Sequence, residues 1–265
     1  MQGSSKSAGV RKGSGFYSLV AATALSFLAA CFTTPVTGRK SFNPFPIEDD
    51  KSLGAQSYEE VLKTSKLADS RPEYAMVKRC VDRLVAVADD PGNFEWEVHL
   101  IDDPETVNAW CMPGGKMAVY TGILPVTMDE TGLAVVMGHE IGHAVARHGT
   151  ESLVQQFGVA ILLELLAGQH KEMWGTIATA SITLPNSRDH ELEADEIGLI
   201  YMARAGYDPD QAVAFWQRMA AQSNGAPPEW LSTHPSDDSR IAALKDNLKK
   251  ARNIYAGKKG WKPNQ

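Results

Sequence analysis

Residues 131–149 read TGLAVVMGHEIGHAVARHG, a run too apolar to face water along most of a helix, yet interrupted by His139, Glu140 and His143. Leu133, Val135, Val136, Ile141, Ala144 and Val145 predict a helix buried on nearly every side. Polar side chains inside such a helix are costly unless they are hydrogen-bonded, paired or ligated. His139 and His143 are four apart, so their imidazoles stand one above the other on a single face. Two neutral imidazoles at that separation can hold one Zn²⁺ from the same side. Glu140 can then lean over the open side of the ion, where a water would sit. This arrangement suits metal-activated hydrolysis, with one zinc per chain. The alternative is a helix that merely buries two histidines. His148 should lie about 140° round the same helix from His143. It reads as a helix-end histidine near the negative pole of the dipole, not as a ligand.

A catalytic zinc usually keeps three protein ligands. The run His190-Glu191-Leu192-Glu193-Ala194-Asp195-Glu196 is the best source of the third. Glu191 and Asp195 share one helical face, so one can ligate while the other orients a ligating imidazole. Glu193 and Glu196 read as a solvated face. Spacing alone does not select Glu191.

The chain has 265 residues, 43% hydrophobic and 22% charged, as expected of one globular domain with extensions. A net charge of −6, with no basic patch outside the two ends, argues against nucleic acid as a partner. Lys6, Arg11 and Lys12 precede an apolar run over residues 16–30. That run is short for a membrane span and suits a secretory signal. It ends Leu28-Ala29-Ala30-Cys31, which resembles the lipobox of bacterial lipoproteins. In a lipobox the cysteine is acylated and becomes the first mature residue, so the expected membrane attachment is a lipid anchor on Cys31. Phe32 in place of Asp at the next position favours the outer membrane. The expected location is therefore the periplasmic face of the outer membrane in a Gram-negative-type bacterium. Cys80 and Cys111 remain, and in an oxidising compartment an even number of thiols suggests a disulfide. Closing the loop between them would contribute roughly 3 kcal/mol. Two separately buried thiols are the other possibility.

Hydrophobic periodicity and turn residues predict helices over 48–68, 72–88, 128–149, 151–167, 188–205, 209–222 and 236–256. Strands are predicted over 96–101, 107–111 and 116–121, with a Pro113-Gly114-Gly115 turn before the last. Residues 171–187 stay unassigned, and 225–235 read as a loop. The fold class is α+β, mainly helical with one small β-sheet. Residues 1–30 form the signal segment, 31–46 a linker, 47–256 the domain and 257–265 a mobile tail.

His139-Glu140-Ile141-Gly142-His143, followed downstream by Glu191-Leu192-Glu193-Ala194-Asp195, resembles the zinc endopeptidase family that includes the HtpX heat-shock protease and the prenyl-protein CaaX proteases. The resemblance implies a zincin-type metalloprotease domain with His139, His143 and Glu191 as ligands. It makes Glu140 the general base and Asp195 the carboxylate that orients a ligand. Pro35-Val36-Thr37-Gly38-Arg39, residues 107–115 and Ser232-Thr233-His234-Pro235 are similar to a soluble branch of the family. That branch has periplasmic lipoproteins and a mitochondrial inner-membrane protease among its members. It implies that His234 and Arg240 sit by the metal. His234 would there either stabilise the oxyanion or occupy the fourth position and hold the enzyme off. The expected partners are unfolded or misassembled envelope proteins. Such a substrate would add as a strand to an edge at Lys116, Met117 and Ala118, with Asn108 and Ala109 nearby. Two rivals stand beside this reading. One is a zinc-containing, chaperone-like lipoprotein with latent proteolysis, and the other is a structural lipoprotein.

Overall fold

The computed structural model describes residues 31–221, 228–234 and 238–258. The expected signal segment 1–30, the Cys31 side chain and the end of the expected tail, from 259, lie outside the described residues. Strands β1 (Cys31–Thr33) and β2 (Lys40–Phe42) pair antiparallel as a hairpin. Residues 31–46 are thus not a free linker. Arg147 donates to Phe45 O at 2.9 Å and Pro46 O at 3.3 Å, fixing the segment to the domain.

Helices α1 (Ile47–Leu62) and α2 (Pro72–Val85) follow. The mixed sheet then forms from β3 (Glu97–Ile101), β4 (Ala109–Met112) and β5 (Lys116–Tyr120) in the order β3-β5-β4. β5 runs parallel to β3 and antiparallel to β4, so it is the central strand. The expected substrate edge at Lys116, Met117 and Ala118 is therefore corrected. Both sides of that strand already carry a neighbour, and Met117 and Ala118 are fully buried. Among the described residues β4 is an edge strand, paired with β5 on one side only.

A short helix α3 (Leu124–Thr127) leads to α4 (Glu130–Val145), the helix of the His-Glu-His triplet. Asp129 caps it by accepting from Gly132 N at 2.8 Å. Leu133, Val136, Met137, Ile141 and Val145 are wholly buried, each stabilising the fold by about 1.5–3 kcal/mol. The helix stops earlier than its apolar pattern suggests. Arg147 takes a left-handed φ of 62°, and α5 (His148–Phe157) starts in a new direction. The buried Arg147 guanidinium holds the break by donating to Asp50 at 2.6 and 2.9 Å. A second break at Gly158, φ 78°, separates α5 from α6 (Val159–Leu166). The unassigned 171–187 segment contains α7 (Trp174–Thr183).

Helix α8 (Arg188–Arg204) is capped by Ser187, which accepts from His190 N, and it crosses α4 closely. Glycines set that approach. A Cβ on Gly198 would lie 2.9 Å from Gly138 C and from His139 N, and one on Gly142 would lie 2.9 Å from Ala194 O. α9 (Gln211–Ala221), α10 (Glu229–Thr233) and α11 (Asp238–Lys258) complete the described chain. The main core lies where α2, α4, α8, α9 and α11 meet the sheet.

Cys80 and Cys111 are free, which corrects the possible disulfide. The Cys80 thiol contacts the Glu130 carbonyl at the start of α4, whereas Cys111 lines a cavity with Glu140 and His143 near its far end. About ten residues of helix, roughly 15 Å, lie between those two places. A disulfide needs Cα atoms within about 7 Å.

Candidate metal centre

Close packing of α4 on α8 brings the triplet of one helix against the acids of the other. His139 Nε2 lies 3.0 Å from His143 Nε2, and Glu191 sits opposite, 3.4 Å from the first and 3.3 Å from the second. His234, just past α10, brings Nδ1 to 3.1 Å from His139 Nε2 and 2.9 Å from Glu191 Oε1. These four ligand atoms all lie within 4.8 Å of one another, and all four residues are buried. Protons alone do not account for such a cluster. His139 Nε2 faces two other ring nitrogens and a carboxylate, while one proton can serve only one of them. Glu191 Oε2 lies 2.5 Å from Arg240 Nη1, yet it accepts no hydrogen bond of acceptable angle. The edges of a tetrahedron around a metal bound at about 2.0 Å are about 3.3 Å, so these separations fit one small divalent ion. The donor set of three imidazoles and a carboxylate suits it as well.

Asp195 stands behind His139. It accepts from His139 Nδ1 at 2.8 Å, which leaves Nε2 free for an ion. Arg240 holds Asp195 through Nε at 2.6 Å and Nη2 at 2.9 Å, with its guanidinium 3.9 Å over the Trp216 ring. Its guanidinium touches the Glu191 and Asp195 carboxylates, so it acts on the cluster as a positioning residue. Burial alone would lower the His139 pKa, but the Glu191 and Asp195 carboxylates outweigh it and raise it to about 9. Burial, helped by the neighbouring His139 and His148 rings, drives His143 well below the ordinary histidine value. Burial would raise Glu191; His234, His139 and His143 hold it far below the carboxylate range instead.

Glu140 is beside the cluster. Its Oε1 accepts from Trp230 Nε1 at 3.0 Å and lies 3.3 Å from His234 Nε2. The adjoining cavity, of about 40 Å³, is lined by Ala109 and Cys111 of β4, by Glu140, His143 and His234, and by Ile182 of α7. Asn108 is itself buried and turns its side-chain oxygen to Ala109 N at 2.9 Å. Tyr120 N donates to Asn108 O. By antiparallel alternation Asn108, Trp110 and Met112 then face β5, while Ala109 and Cys111 point their backbone groups outward.

Two residues were misread from sequence. His148 is wholly buried and sits on His143, with Nδ1 2.9 Å from His143 Nδ1. The reversal at Arg147 places it there, which a continuous helix would not. Glu193 is buried too, and accepts from His148 Nε2 at 2.9 Å. The Thr37 and Arg39 side chains both reach Glu193 from more than 150 residues away, a contact that no local pattern announces.

The model of peptidase family M48 matches residues 72–248. The chain is 34% identical to the mitochondrial metalloendopeptidase OMA1 of Schizosaccharomyces pombe, over 89% of this chain and 72% of that protein. It is 34% identical to the human metalloendopeptidase OMA1, over 83% of this chain and 47% of the relative. The beta-barrel assembly-enhancing protease of Escherichia coli is 26% identical over 88% of this chain and 52% of its own length. The chain thus spans about half the length of the last two relatives. The fungal, plant and animal relatives are named as mitochondrial proteins. That overturns the expected periplasmic, outer-membrane location in a Gram-negative-type bacterium.

Proposed function

The chain belongs to peptidase family M48, and from that membership we propose that it is a zinc-dependent endopeptidase acting on unfolded or misassembled proteins. The observation that carries the reading is the convergence of His139, His143 and Glu191, with Glu140 alongside. Zinc, when bound, supplies Lewis-acid activation of water and of the scissile carbonyl. Asp195 holds His139 in the tautomer that ligates, and Arg240 holds Asp195. Glu140 takes the proton of the attacking water and returns it to the leaving amine. Trp230 keeps the Glu140 carboxylate aimed at the cluster. An extended substrate adds antiparallel along β4, where Cys111 offers its N–H and carbonyl and Ala109 its carbonyl, the Ala109 N–H being held by the Asn108 side chain. Such pairing selects chain that can be drawn out straight, and this is what supports unfolded protein as the substrate class.

A second observation favours a latent resting state. His234 Nδ1 lies among the other three ligand atoms, so it would compete with water for a place on a bound ion. A cavity of about 40 Å³ is also far below the several hundred Å³ of an ordinary ligand pocket. His234 and α7 must therefore move before a peptide enters. The test is Glu140→Gln, assayed with casein and by metal analysis. It should keep one zinc and lose cleavage; turnover that persists removes Glu140 from the role of base. Loss of zinc with cleavage would make Glu140 part of the ligand set instead.

A further inference from the structure

Behind the cluster runs a hydrogen-bond chain that the proposed chemistry does not use. His143 points Nε2 at the other ligands and Nδ1 at His148 Nδ1, 2.9 Å away. His148 points its own Nε2 at Glu193 Oε2, also 2.9 Å away. Glu193 in turn accepts from the Thr37 hydroxyl and from Arg39 Nε. Arg39 then forks onto Glu151 through Nη2 at 3.1 Å and Nη1 at 3.4 Å. Glu151 accepts from His190 Nε2 at 3.0 Å, and the His190 ring stacks on His148 with centroids 4.1 Å apart. His148, Glu193 and His190 are all buried, so none of these groups can turn to water instead.

The chain has a direction. A carboxylate at Glu193 only accepts, so His148 must carry its proton on Nε2. In a neutral His148, Nδ1 is then an acceptor, and His143 must donate from Nδ1. That leaves a lone pair on His143 Nε2, which is what an ion requires. Without the carboxylate, His148 can hold its proton on Nδ1. His143 Nδ1 would then accept, and its proton would sit on Nε2, where the ion binds. Glu193 thus decides the tautomer of a ligand one ring away. Arg39 Nε and the Thr37 hydroxyl, both from the N-terminal hairpin, fix the direction of that carboxylate; without Arg39 it can turn from His148, whose Nε2 then loses its acceptor.

We propose that Arg39 is a positioning residue of the metal centre, acting through Glu193 and His148 to hold His143 in its ligating tautomer. The hairpin of β1 and β2 thereby becomes part of the metal site, and detaching it loosens the grip on the ion. The inference rests on the reading of His143 as a zinc ligand.

The test uses the full chain as wild type, Arg39→Ala, Arg39→Lys, Glu193→Gln and the Arg39→Ala/Glu193→Gln double variant. Zinc release to a chromophoric chelator, the visible spectrum of the Co²⁺ form and the melting temperature of the metal-free protein are measured. Arg39→Ala and Glu193→Gln should each speed release by roughly 10- to 100-fold and shift the Co²⁺ bands in the same way. The double variant should release no faster than the faster single one, because both cut one link. Arg39→Lys should fall between wild type and Arg39→Ala. If Arg39→Ala does not fold, Glu193→Gln and Arg39→Lys carry the comparison. Release at the wild-type rate with an unchanged Co²⁺ spectrum overturns the positioning role. Multiplying effects in the double variant overturn the route through Glu193. A wild-type protein without stoichiometric zinc or cobalt overturns the ligand reading itself, and the positioning role with it.

Discussion

Adding one methyl group at Gly198 should damage the metal centre without touching a ligand side chain. The new Cβ would lie 2.9 Å from Gly138 C and from His139 N, and 3.1 Å from Gly138 O. Carbon atoms in ordinary contact sit about 3.5–4.0 Å apart, so α4 and α8 must separate locally by roughly 0.5–1 Å. His139 N is one of the atoms struck, and Glu191 lies about two turns earlier on the helix that strikes it. Metal–ligand distances tolerate only about ±0.2 Å. The shift exceeds that margin, so zinc affinity in Gly198→Ala should fall roughly 10- to 100-fold, about 1.4–2.7 kcal/mol. Overpacking should also lower the stability of the metal-free protein by about 1–3 kcal/mol, less up to about 1 kcal/mol returned by replacing a helical glycine. Competition with a chromophoric chelator reads the first effect, and calorimetry reads the second. Gly175→Ala on α7 is the control, since a Cβ there meets nothing within 4 Å. It should leave zinc binding alone and be neutral or slightly stabilising. Wild-type zinc affinity in Gly198→Ala, with stability unchanged or raised, would refute the close crossing of the two ligand-bearing helices.

His234→Ala should raise the basal rate of casein cleavage, because it removes the competitor of water; a rate that stays the same or falls rules out a resting latch. In the metal-free protein His139 titrates near 9, because Glu191 and Asp195 outweigh its burial. Zinc must displace that proton, so the logarithm of the association constant should climb by about one unit per pH unit up to about 9. Since the folded value exceeds the unfolded one, about 6.5, the same group stabilises metal-free protein fully below pH 6.5. That contribution is lost as pH rises through about 9. A melting temperature of the metal-free protein that holds level across this window would contradict the raised value.

The ligand-bearing helices could be read from the chain because their signals are local. The His139–His143 spacing, the apolar run around it and the Glu191–Asp195 pair each depend on one helix at a time. What escaped depends on partners far away in sequence. The helix stops at Arg147 because Asp50, 97 residues earlier, receives its guanidinium. His148 was therefore placed on the wrong side of a helix that does not continue. Glu193 does face away from the metal, as its position in the helix predicts, but the N-terminal hairpin covers that face. The local pattern marks β5 as a strand but not its place in the sheet, and only its pairing with both β3 and β4 makes it central. Helix α7 was missed because Trp174-Gly175-Thr176-Ile177-Ala178-Thr179-Ala180-Ser181-Ile182-Thr183 is rich in small and β-branched residues, which give a weak helical period.

Everything in the proposed chemistry requires one divalent ion between α4 and α8. X-ray absorption at the zinc edge of the purified full chain tests this most directly. We expect one zinc per chain, with only nitrogen and oxygen neighbours at about 2.0–2.1 Å and the multiple-scattering pattern of coordinated imidazole, weakened in His143→Ala. A chain without stoichiometric zinc, or zinc with sulfur neighbours at about 2.3 Å, would contradict it.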